Sequence, residues 1–240
     1  MKEREEVIKR IICLLCYTDR CILERPVIDG IQRSLKERED QRKIISEWLK
    51  WKGYYSNLTA KEKQIMETPV TGIMNSAVLS NYRDYECIEP LLWSVGLRGR
   101  LAGYGNYVLA DLHPPIQIGP DHSLKNVANS CKDVPVSEIE KKSTIAMLWY
   151  WRCLEERHPN TKNIDFKEAV TKTFGESYAS LLKSYSGFDN NKCDFVVNGK
   201  KVSELNSMEK ARLEDLSERR FYAFEWLFSE ETWDNVDLIC

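Results

Sequence analysis

The sequence predicts an all-α protein: a single helical domain of about seven to nine helices with one small β-hairpin near residues 195–202. Three observations carry the prediction. Apolar residues recur at helical spacing over most of the chain. Capping boxes, a small polar residue with Glu three positions later, stand at the starts of several of those runs. Asn198-Gly199, between Phe195-Val196-Val197 and Lys201-Val202, is the one convincing signal for a two-residue hairpin turn.

The elements follow in order. Val7, Ile8, Ile11, Ile12, Leu15 and Ile22 predict a first helix from about Glu3 to Leu23, stopping before Pro26. A second runs from about Ile31 to Trp51, with Gly53 as its stop. Thr59-x-x-Glu62 opens a short third helix that ends before Pro69. The run from about Met74 to Val95 contains Pro90, which is expected to kink or split it. Residues 98–122 hold Gly99, Gly103, Gly105, Pro114, Pro115, Gly119 and Pro120 and read as a long irregular loop. Loops of that length are often lids or binding loops, and an ordered excursion without a role fits equally. Ser137-x-x-Glu140 caps a helix to about Arg157, and Asp165-x-x-Glu168 caps another, followed by a Ser/Tyr-rich helix to about Ser186. Asn206-x-x-Glu209 caps a final long helix to about Phe228.

Composition narrows the function classes. The 240 residues are 42% hydrophobic and 30% charged, ordinary for a globular chain. Lys and Arg number 35 against 37 Asp and Glu, so no basic surplus points to nucleic acid. The longest apolar runs, Ile11–Tyr17 and Ile145–Trp151, fall far short of the ~20 residues a membrane helix needs. The opening MKEREEVIKR carries mixed charge with no apolar region of signal-peptide type behind it. The expectation is therefore a cytoplasmic protein with reduced thiols. Segment 229–240 carries Glu230, Glu231, Asp234 and Asp237 with no Lys or Arg, an acidic tail around Trp233.

Four stretches together resemble a known family. They are Glu86-Cys-Ile-Glu-Pro-Leu-Leu-Trp93 with Ser94-Val95-Gly96, Ala146-Met-Leu-Trp-Tyr-Trp-Arg152, the Phe195–Leu205 hairpin, and Glu218–Leu227 with Trp233-Asp-Asn-Val236 after it. Their order and spacing resemble the bacterial Domain of Unknown Function 4272 family over most of residues 30–237. In that pattern a Glu stands at the position of Glu86, and an E-R-x-x-A-L-N-W-L-like run stands at Glu218–Leu227. Counting back from Trp226 puts the family Arg on Arg220 and a second Arg on the Glu position. Pro90 is also unusual inside the Leu-Leu-Trp helix. The resemblance supports the helical fold and implies no activity.

Buried charge is the sharpest chemical signal. Ile145–Leu154 is apolar except at Arg152, and Arg220 lies within the stripe Leu213, Leu216, Ala223, Phe224, Leu227. A buried guanidinium needs an anion, unless its stem reaches to water. Tyr82, Glu86, Glu89 and Trp93 share one face of their helix, opposite the apolar Ile88, Leu91, Leu92 and Val95. Glu86, or failing it Glu89, is therefore expected to pair with Arg220 or Arg152. The candidate pocket or ion-pair set is Glu86, Glu89, Trp93, Arg152, Arg220 and Trp226. Such a cluster either orients a ligand between aromatic walls or locks helices together.

Metal chemistry has weaker support. Cys13-x-x-Cys16 with Cys21 lacks the second pair a closed zinc site needs, and Cys13 is expected on the solvent side of its helix. Glu155-x-x-His158 is half of a di-iron helix motif without its counterpart. Asp111, His113, Asp121 and His122 near the loop's end are commonplace for a Pro/Gly-rich segment. No elbow, phosphate loop or dinucleotide fingerprint occurs. The sequence thus leads to an expectation of no cofactor, no metal and no catalytic residue. It favours a non-catalytic module that contacts another protein, and leaves an enzyme or small-ligand binder built on Glu86 with Arg152 or Arg220 as the alternative.

Overall fold

A computed structural model describes residues 1–28, 30–73, 84–105, 116, 118–157 and 164–238. The proposed helix start from Met74, Tyr82, the Asp111–His113 pair and His158 lie outside the described residues. The fold is mainly α, with nine α-helices among the described residues.

Helix α1 (Arg4–Ile22) is buried on nearly all sides, with Val7, Ile8 and every residue from Arg10 to Thr18 enclosed. This overturns the solvent-side placement of Cys13. That thiol is 0% exposed and points to the Tyr54 carbonyl, Sγ–O 3.7 Å. One stripe, Ile8/Ile11/Leu15, suggested a single buried face, whereas the unbroken run Ile11–Tyr17 makes a helix apolar all round, which belongs in a core. Burial pushes the Cys13 thiol up to about 12. Under native conditions a thiol reagent should therefore label Cys131 and Cys193, the two partly exposed described cysteines, well before Cys13, Cys16, Cys21, Cys87 and Cys153. Peptide mapping that finds Cys13 among the first labelled sites would contradict the burial of α1.

A short hairpin, β1 (Val27–Ile28) and β2 (Ile31–Gln32), follows Pro26 and turns through Gly30 at φ 75°. It was not expected from the sequence, although Asp29-Gly30 is itself a hairpin dipeptide. Because β2 takes Ile31, helix α2 (Leu35–Trp51) starts later than the periodicity suggests, at a full capping box between Ser34 and Glu37. Helix α3 (Ala60–Glu67) starts at the expected Thr59–Glu62 box.

Helix α4 (Tyr85–Ser94) is buried at all ten positions. Pro90 sits inside it without splitting it, although it supplies no N–H to the Glu86 carbonyl one turn back. A short helix, α5 (Leu124–Ser130), is capped by Ser123 and occupies sequence that carried no helical expectation. Helix α6 (Val136–Glu155) starts behind Pro135 instead of at Ser137. The Pro135 carbonyl accepts the first helical bonds, from Glu138 and Ile139, so Ser137 lies within the first turn.

Gly175, at φ 93°, separates α7 (Phe166–Phe174) from α8 (Glu176–Ser184). Strands β3 (Phe188–Asp189), β4 (Asp194–Val197) and β5 (Lys200–Lys201) form an antiparallel sheet of three strands where a hairpin of two was expected. Asn198 and Gly199, at φ 50° and 80°, make the expected turn between β4 and β5. Helix α9 (Ser207–Phe228) follows from the complete Asn206–Glu209 box.

Two apolar clusters result. The first gathers α1 and α4 with Phe221, Phe224 and Leu227 of α9. The second gathers Trp149 and Cys153 of α6 with Phe166, Leu182, Phe195 and Leu213. Helices α6 and α9 pack on each other and contribute to both clusters, and Met147 touches both. Among the described residues, no helix is long and apolar enough to cross a membrane.

Candidate functional site

Arg220 sits where the two clusters meet, 2% exposed. Its Nε and Nη2 donate to Glu86 Oε2 at 3.1 and 2.9 Å. Its Nη1 donates to the carbonyls of Ala102 and Gly103 at 2.8 and 3.2 Å. Glu89, one turn along α4 from Glu86, accepts the Ala102 N–H. The Ala102 peptide is thus held on one side by α4 and on the other by α9. This fixes the irregular segment 98–105 that follows α4. Burial raises the Glu89 carboxyl above the usual carboxylate range, against the pull of Arg220.

The pinned loop delivers Tyr104. Its ring lies 4.9 Å from the Arg220 guanidinium carbon and stacks on Trp149 at 4.5 Å and 15°. Trp149 stacks in turn on Phe195 at 3.9 Å and 14°. The result is a column of Arg220, Tyr104, Trp149 and Phe195 that joins the loop to α6 and β4. Trp149 also donates its indole N–H to the Tyr185 hydroxyl at 3.4 Å.

Beside this column lies a cavity of about 400 Å³. Trp93, Tyr104, Tyr185 and Phe224 supply aromatic walls, and Arg100, Lys142 and Arg220 supply positive charge. Arg220 is neutralised by Glu86; Lys142 stands one turn from Glu138 and helps Lys141 to hold that carboxyl below its ordinary value. The described lining contains no Asp, Glu, His or Cys. Burial raises the Tyr185 phenol above its ordinary range, so it stays a neutral donor and acceptor near neutral pH.

The other sequence candidates fall elsewhere. Arg152 does not meet Glu86 or Glu89. It forms a two-pronged pair with Asp194, Nε–Oδ1 2.8 Å and Nη2–Oδ2 3.0 Å, and reaches Glu156 at 3.0 Å. Helix α6 carries it toward β4, and Asp194 sits at the first position of that strand. Trp226 faces away from the cavity, 5.2 Å from Trp233 and beneath the Lys2 ammonium at 5.5 Å. The acidic tail is folded back, with Trp233 also against Tyr222 and the Arg10 guanidinium. His122 is spent on packing, its Nε2 2.9 Å from the Tyr54 hydroxyl and its ring 5.4 Å from Trp48. Among the described residues no group of three His, Cys, Asp or Glu could hold a metal ion.

Tyr104, Lys142, Tyr185 and Asp194 carried no expectation from the sequence. Tyr104 had a signal, an aromatic residue between Gly103 and Gly105 in the long loop. Lys142 and Tyr185 had none, because only the tertiary fold brings them to one cavity.

A family model described as "Domain of unknown function (DUF4272)" matches residues 1–171. Of the four resembling stretches, Glu86–Gly96 and Ala146–Arg152 fall inside that match and the other two beyond it. No curated protein and no solved structure matches the chain.

Proposed function

The chain belongs to the family described as Domain of unknown function (DUF4272), a description that carries no activity, and we propose from its own residues that it is a small-ligand-binding protein whose ligand is a planar anion. One observation carries this reading: the cavity beside Arg220 combines four aromatic side chains with two further cations, Arg100 and Lys142, and no carboxylate in its described lining, in a chain of net charge −2. Aromatic faces hold a flat body and the cations select negative charge. The described lining offers no carboxylate, imidazole or thiol to exchange a proton near pH 7, which favours binding over turnover. Arg220 and Glu86 serve by positioning the Ala102–Tyr104 wall and not by direct chemistry.

Anilinonaphthalene sulfonate, a flat aromatic anion, is a suitable probe. It should bind the native protein at one equivalent, and its uncharged parent arylamine far more weakly. Lys142→Glu should weaken the sulfonate by about tenfold or more, since it replaces attraction with repulsion in a partly desolvated site. Equal binding of the charged and uncharged probes, unaffected by Lys142→Glu, removes the anion reading.

A module that contacts another protein is the second reading, supported by α2. Ile44 and Trp51, seven residues apart and so on one helix face, are 58% and 68% exposed. Val27, Ile31 and Leu35 before them are also exposed. The simplest partner is a second copy. Sedimentation over a range of concentrations should then give a dimer that Trp51→Glu dissociates. A monomer throughout eliminates that form of the reading.

A further inference from the structure

A second cavity of about 360 Å³ lies on the opposite side of α4, where α1, α3, α4, α9 and the turn at Trp233–Asn235 converge. Two buried donors line it without a hydrogen-bond partner among the described residues: the Tyr17 hydroxyl, on a residue 1% exposed, and Arg219 Nε. Arg219 is otherwise engaged with Asp84, Nη1–Oδ1 2.7 Å. The Glu62 carboxylate on the same wall is taken up by Arg10. A buried donor left unpaired forfeits its hydration with nothing in return, so two in one cavity call for an acceptor.

Charge identifies what kind of acceptor. With the Arg219–Asp84 and Arg10–Glu62 pairs satisfied, the remaining charges in the lining are Lys61 and Asp234, one of each sign at exposed positions on its rim. Lys61 helps to draw the Asp84 carboxyl down, so a carboxylate entering the cavity would meet Lys61 beside Arg219, and a group of positive charge would meet Asp234. We propose that this cavity binds a free α-amino acid, its carboxylate accepting from Tyr17, Arg219 and Lys61, its ammonium facing Asp234 and its side chain against Trp233. The cavity is well desolvated, since burial lifts the Asp84 carboxyl from 3.8 to about 6 despite Arg219 beside it.

The test is calorimetric titration of the full chain with each of the twenty L-amino acids at millimolar concentration, with acetate and ethylamine as single-charge controls. At least one amino acid should bind, and both controls should fail. Tyr17→Phe removes a hydroxyl that has no partner, so it should leave the melting temperature unchanged or raised while weakening the amino acid by about tenfold. Asp234→Ala, at an exposed position, should weaken it as well, and Lys142→Glu, in the other cavity, should not. The proposal is overturned if no amino acid binds, if acetate binds as well as the amino acid, or if binding survives Tyr17→Phe and Asp234→Ala. A Tyr17→Phe protein that is destabilised and binds nothing would show that internal water serves the hydroxyl.

Discussion

Arg220→Ala should lower the stability of the folded chain by about 3–5 kcal/mol, the cost of stranding the partner of a buried ion pair. Glu86 is 0% exposed, and Arg220 donates two bonds to its Oε2. The Ala102 and Gly103 carbonyls lose their Arg220 donor in the same step. Glu86→Ala should cost nearly as much, because it removes the carboxylate that Arg220 is hydrogen-bonded to and leaves the guanidinium bonded to two carbonyls, with Glu89 acting only through its charge. The double substitution should cost clearly less than the sum, since each single variant already removes the shared interaction. Urea melts of the three variants measure this directly. Small additive losses would mean that the pair carries little of the architecture. Wild-type melting temperatures with lost probe binding would mean that Arg220 and Glu86 serve a ligand and not the fold.

Asp194→Ala is expected to be comparably severe, about 3–5 kcal/mol. Arg152 is 0% exposed and donates two bonds to this one carboxylate. Glu156 remains as its second anion, but Glu156 is shared with Lys210 at 2.6 Å and cannot replace a two-pronged partner. Asp194 also accepts the N–H of Phe195, the outer ring of the aromatic column. Its loss should therefore disturb Trp149 stacking as well as charge. Near-ultraviolet circular dichroism reports the ring geometry, and denaturant melts report the energy. Replacing Arg152 and Asp194 together by Met and Leu should recover much of the loss, because a packed apolar pair often equals a buried ionic one. A single Asp194→Ala variant as stable as the wild type would assign Arg152 to Glu156 alone.

What could be read from the sequence divides along a physical line. Helices with strong local signals were legible: Thr59 with Glu62, and Asn206 with Glu209, fix their own starts through bonds within one turn. The Asn198-Gly199 turn was legible for the same reason. Failures came where a distant partner decides. The burial of Cys13 is the exception: the unbroken apolar run Ile11–Tyr17 is in the sequence, and the stripe Ile8/Ile11/Leu15 taken alone hides it, while the group the thiol meets, the Tyr54 carbonyl, is not encoded in the helix. That Arg152 and Arg220 need anions followed from their apolar neighbours. Which anion each takes depends on which way α6 and α9 face, and no spacing encodes that. Pro90 does not split α4, because a helix buried at every position is held by its packing more than by any one of its hydrogen bonds.

The bond between Glu86 and Arg220 spans 134 residues of chain. During synthesis, which proceeds at about 5–20 residues per second, the carboxylate leaves the ribosome on the order of 10 s before its guanidinium exists. Helix α4 and the apolar sides of α1 that wait for α9 must stay accessible over that interval, before the Arg220 guanidinium is there to accompany the carboxylate into a dry interior. The nascent chain is therefore a natural client for a holding chaperone until its last helix emerges. Slow codons placed after α4 should harm its yield far more than the same codons placed after α9.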